Sequence, residues 1–61
     1  MNTKSIKSLA TGDTFSLTPD GTVYTAQRVT AGTAMTRVDY TTDSGGYFSF
    51  SRASLTTAYL A

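Results

Sequence analysis

Thr14-Phe15-Ser16-Leu17-Thr18-Pro19-Asp20-Gly21-Thr22-Val23-Tyr24-Thr25 is the stretch whose reading settles the fold class. It carries a turn in its middle. Pro19 presets φ for the first central position of a β-turn, Asp20 suits the second, and Gly21 follows with freedom to take a positive φ. Upstream, Phe15 and Leu17 fall on one face of an extended chain. Downstream, Thr22–Thr30 is rich in β-formers: Val23, Tyr24, Thr25 and Val29. The pattern predicts a hairpin with strands at 14–17 and 22–30.

The same alternation continues outward. Ala31-Gly32 marks a second turn, with Gly32 expected in the left-handed conformation or beside a bulge. The strand predicted at 34–41 sets Ala34, Thr36, Val38 and Tyr40 on one face and Met35, Arg37 and Asp39 on the other. The first set is the better core face. Asp43-Ser44-Gly45-Gly46 is a third turn, and 47–51 follows with Phe48 and Phe50 on one side. Arg52-Ala53-Ser54 breaks the alternation and suits a single 3-10 turn, after which 57–60 forms a closing strand. At the start, Ile6, Leu9 and Ala10 fit one helical turn stopped by Gly12, while Ile6 could equally open a short strand; both readings stand. The expected core is Leu9, Phe15, Leu17, Val29, Val38, Phe48, Phe50 and Leu60.

Five short strands with a 3-10 turn before the last describe a small all-β barrel. Closure would remove the unpaired edges that a charge-poor chain has little means to protect. At 61 residues the chain is one domain, residues 1–61, and a domain of that size buries only about 60% of its unfolded surface. It contains no His, Cys, Trp or Glu. Disulfides and a structural zinc site are therefore excluded, and no cofactor is expected. Net charge is +1, too little for a protein held to nucleic acid by phosphate contacts alone. No apolar run is long enough to span a membrane, and Met1–Lys7 leads into no signal-peptide core. The expected location is the cytoplasm.

Leu9-x-x-Gly12-Asp13-x-Phe15, then Asp20-Gly21-x-x-Tyr24, then Val38, Phe48 and Phe50 resemble the pattern of SH3-like small β-barrel proteins, of the kind common in bacteriophage and actinobacterial genomes. The resemblance covers most of the chain. It implies a five-stranded SH3-like barrel and a bacteriophage accessory or host-takeover role. It names no activity, because small barrels host unrelated functions.

The residues that carry chemistry are few. A Ser-Lys pair could be drawn from Ser5 or Ser8 with Lys4 or Lys7, but that segment is polar and shows no burial to lower a lysine pKa. Asp39 and Asp43 would stand more than about 10 Å apart on a strand. Asp13 and Asp20 sit in turns, where Asp bonds its own backbone. Gly45-Gly46 precedes a strand rather than the helix a phosphate loop needs. No metal site is expected, and the chain reads as non-enzymatic. What remains is arginine interleaved with aromatics. Tyr24 and Arg28 share a face if no bulge intervenes, and hairpin pairing about Ala31-Gly32 brings Arg28 near Met35 and Arg37. Arg52 follows Phe50 at the end of the barrel. Arg28, Met35, Arg37 and Arg52 are the candidate binding residues. Tyr, Arg and Met are enriched at protein interfaces, which favours an unidentified protein partner. The alternative is a small-barrel nucleic-acid-binding protein using an Arg/Tyr face. Self-association stays open.

Overall fold

In a computed structural model describing residues 2–60, the chain is all-β. Its strands are β1 (Thr3–Ser5), β2 (Thr14–Ser16), β3 (Tyr24–Thr30), β4 (Met35–Thr41), β5 (Tyr47–Ala53) and β6 (Thr57–Leu60), with one 3-10 helix at Ile6–Ser8. They form a single antiparallel sheet of six strands in the order β1-β6-β2-β3-β4-β5.

Two expectations are corrected here. The sheet has six strands rather than five, and it is open rather than a closed barrel. The extra strand, Thr3-Lys4-Ser5, has no apolar alternation; it is a strand because β6 offers it an edge, with Thr3 opposite Tyr59 and Ser5 opposite Thr57. The barrel does not close because β1 ends after three residues and the chain turns into the 3-10 helix, which packs against β4. The sheet nevertheless curls. β5 and β6 stand at well-separated places in the strand order, yet only Ser54-Leu55-Thr56 joins them. Such a link reaches about 14 Å at most, so the end of β5 must come back beside the start of β6. Backbone bonds from Ile6 N to Thr56 O (2.9 Å) and Lys7 N to Ser54 O (3.4 Å) hold the 3-10 helix along that link.

The predicted 3-10 turn at Arg52-Ala53-Ser54 is also displaced. β5 runs on through Ala53, and a single turn follows, closed by Thr56 N to Ala53 O at 2.9 Å. The buried apolar side chains are Ile6, Leu9, Phe15, Ala26, Val38 and Ala58. Leu17, Tyr24, Val29, Tyr40, Phe50 and Leu60 pack around them. Phe48 was expected inside and is 52% exposed. It faces the inner side of the sheet, but β5 is an edge, so nothing covers it beyond Tyr40 and its own Gly46.

The left-handed glycines are not the expected ones. Gly12 (φ 94°) and Gly45 (φ 85°) hold positive φ; Gly21 and Gly32 do not. Gly45 closes a three-residue hairpin loop, with Gly45 N bonded to Thr42 O (2.9 Å) and Thr42 N to Gly46 O (3.1 Å). Gly32 is required for space: a Cβ there would strike the Met35 carbonyl oxygen. The Pro19 turn forms as read, with Gly21 N on Thr18 O at 3.1 Å.

Candidate functional site

The face of each strand residue follows from its partners. Tyr40 opposes Ala26 and Phe48, and Val38 opposes Val29 and Phe50, all on the inner face. Asp39 opposes Arg28 and Ser49, and Arg37 opposes Thr30 and Ser51, all on the outer face. A register shift between Ala26 and Arg28 makes this possible. Without it, strict alternation would send Arg28 inward beside Tyr24. The bulge at Gln27 moves Arg28 outward and returns Val29 to the core, so Tyr24 and Arg28 lie on opposite faces. Gln27 itself points outward and donates from Nε2 to Thr41 Oγ1 at 3.0 Å.

Arg28, Thr30, Arg37 and Asp39 line an open depression of about 300 Å³ on this outer face. Arg37 Nε donates to Asp39 Oδ1 at 3.1 Å. That contact uses the Nε edge of the guanidinium and leaves its terminal amino groups for a ligand. The Arg37 side chain remains 61% exposed. Arg28 forms no ion pair among the described residues. Two arginines and one carboxylate therefore line the depression, which carries a surplus positive charge beside the outward Thr30, Ser49 and Ser51.

Of the four candidate residues, Arg28 and Arg37 come together diagonally across β3 and β4. Met35 shares their face and is 54% exposed, but it stands four residues along β4 from Asp39, the partner of Arg28. That is about 13 Å at the usual rise per residue. Met35 therefore adjoins Arg37 and not Arg28. Arg52 belongs elsewhere. It opposes Thr36 on the inner face, and its guanidinium carbon sits 5.8 Å from the Phe50 ring centroid, a cation–π contact at the sheet edge.

Tyr47 was missed. It is outward-facing, 62% exposed, and opposes Thr41 beside the Asp39 row. The signal was present: if Phe48 and Phe50 share the inner face, Tyr47 must share the outer one. Phe15, Tyr24, Tyr40, Phe48 and Phe50 gather on the other side of the sheet, while Tyr59, opposite Thr3 and Ser16, takes the outer face of β6. Tyr24 and Tyr40 meet at 4.5 Å between centroids with tilted rings, Tyr40 meets Phe50 at 5.5 Å, and Phe15 meets Phe50 edge-on at 6.3 Å.

The other ionic feature is structural. Asp13 accepts from Ala10 N at 2.9 Å and pairs with Lys4 Nζ at 2.9 Å. The backbone bond first, and the Lys4 contact second, hold its carboxyl below the ordinary aspartate value of 3.8. Asp13 N bonds Ala10 O, and Gly12 N and Asp13 O both bond Ala26, so this turn anchors β3. No helix among the described residues is long and apolar enough to cross a membrane. No protein-family model, curated protein or solved structure matches the chain.

Proposed function

We propose that this protein is a non-enzymatic binding module that holds an acidic side chain of a protein partner in the Arg28–Arg37 depression. The observation that carries the proposal is the pairing of two outward arginines around one open hollow, with Asp39 bonded to Arg37 through Nε and so leaving its terminal nitrogens unused by that contact. An arginine held in this way can donate two parallel hydrogen bonds to a carboxylate. Met35 and Tyr47 flank the hollow with apolar surface of the kind found in interface cores. The likeness to SH3-like small-barrel proteins of bacteriophage is kept within this proposal in its open-sheet form only, supported by the small all-β topology.

The nucleic-acid reading has less in its favour. It needs arginine and several stacking aromatics on one surface, whereas a single exposed ring, Tyr47, stands beside Arg28 and Arg37, and Tyr24 and Tyr40 lie inside the curl. The test is a double substitution, Arg28→Ala with Arg37→Ala. Capture of a discrete protein from nuclease-treated host lysate should disappear, with the melting curve unchanged. Single- and double-stranded oligonucleotides titrated at two salt concentrations supply the second arm. With two arginines available, any duplex binding should weaken with a log–log slope of about −2. Micromolar or tighter oligonucleotide binding at physiological salt overturns the protein-partner reading. Unchanged capture by the double variant removes the depression itself.

A further inference from the structure

The sheet ends in two edges of different character. β1 is three residues long and carries Lys4, a common protection against edge pairing. β5 is seven residues long, runs in unbroken register with β4, and contains no Pro, no Lys and no bulge. Every residue of β5 except Phe50 is exposed. Its one guarding charge is the inward Arg52, held against the Phe50 ring, so β5 is the longer and less guarded edge.

Which backbone groups it offers can be deduced. Thr42 N bonds Gly46 O, and Ser54 N bonds Ala34 O, at the two ends of the β4–β5 ladder. In an antiparallel ladder, hydrogen-bonded pairs alternate with unbonded ones. Phe48, Phe50 and Arg52 therefore turn their N–H and C=O groups toward β4, while Tyr47, Ser49, Ser51 and Ala53 turn theirs to solvent.

We propose that two copies of this chain pair through their β5 edges, antiparallel and centred on Phe50, to form one doubled sheet. In this register Ser49 opposes Ser51 of the second copy and Tyr47 opposes Ala53, so every outward backbone group meets a complementary one. A slip of one residue would set outward groups against inward ones. A slip of two would leave outward groups at the strand ends unpaired. The side chains agree with the symmetric register. Phe50 meets its own counterpart, and Phe48 meets Arg52 of the other copy on the inner face, extending the Arg52–Phe50 contact already present. Arg52, the one charged residue of β5, never faces itself. The two-fold axis runs perpendicular to the sheet, so both Arg28–Arg37 depressions would face the same way. The pairing uses none of the residues lining the depression, and it stands whether or not the depression binds a protein.

The test is sedimentation equilibrium over a wide concentration range on the wild-type chain and three variants, each with a thermal melt. Ser51→Pro removes an outward N–H at an edge position where proline is tolerated, and should yield a folded monomer. Phe48→Glu and Phe48→Lys remove the same exposed ring but place opposite charges across from Arg52 of the second copy. Glu should tighten the dimer and Lys should weaken it, with dissociation constants about tenfold or more apart, since two symmetric cross-strand pairs change together. A wild-type chain that stays monomeric at every concentration overturns the proposal. So does a dimer indifferent to Ser51→Pro, or one on which Glu and Lys act alike.

Discussion

Ser54→Ala is the sharpest test of how the curled sheet is held. The Ser54 side chain is almost wholly buried and touches two elements at once. Its Oγ donates to Gly32 O at 2.6 Å. A hydroxyl has one hydrogen, so the 2.8 Å contact with Thr36 Oγ1 is donated by Thr36. Ser54 thus ties the link before β6 to the β3–β4 loop and to the inner face of β4. Alanine would orphan both partners unequally. Gly32 lies in an exposed loop and its carbonyl can take water. Thr36 is completely buried and its hydroxyl cannot. One unsatisfied buried group costs about 1–3 kcal/mol; adding the lost bond to Gly32 places Ser54→Ala at about 2–3 kcal/mol. At about 4–8 °C per kcal/mol for a small domain, the melting temperature should fall by about 8–24 °C. Thr36→Val alone should cost about 1 kcal/mol. Combined, the two should cost clearly less than their sum, because valine leaves no orphan for Ser54→Ala to expose. Thermal melts and urea unfolding of the four proteins complete the cycle. Strict additivity, or a shift under about 2 °C for Ser54→Ala, would refute the reasoning.

Two further outcomes follow from burial and charge. Phe15→Ala should cost about 3–5 kcal/mol and leave the chain largely unfolded, whereas Phe48→Ala should stay within about 1 kcal/mol because its ring is already half in water; urea midpoints that ranked the two alike would show that the aromatic cluster is not organised around Phe15. Asp13, whose folded-state pKa is lowered, contributes stability above the ordinary aspartate range and loses it as pH falls through its lowered value. Wild type should therefore out-melt Asp13→Asn at pH 7, and the gap should shrink on acidification below about pH 4; a gap independent of pH would mean that the carboxylate charge plays no part.

Strand positions were legible in the sequence because alternation and turn chemistry are local. The strands read at 14–17, 22–30, 34–41, 47–51 and 57–60 correspond to β2 through β6 within a few residues. Pro19-Asp20-Gly21 and Asp43-Ser44-Gly45-Gly46 turn the chain where they were placed. The outward direction of Met35 and Arg37 followed from Val38 and Tyr40 pointing in. What remained hidden depends on partners distant in sequence. β1 exists only because β6 presents an edge to it. The bulge at Gln27 leaves no trace in a Thr-Ala-Gln-Arg-Val run, yet it alone puts Arg28 on the outer face with Arg37. The sheet stays open because β1 stops after three residues, where the chain turns into the 3-10 helix at Ile6–Ser8. That same openness leaves Phe48 exposed and β5 unpaired. Local chemistry settled which residues are extended and where the chain turns; the pairing of strands settled which side chains share a face, since one inserted residue reverses every side chain beyond it.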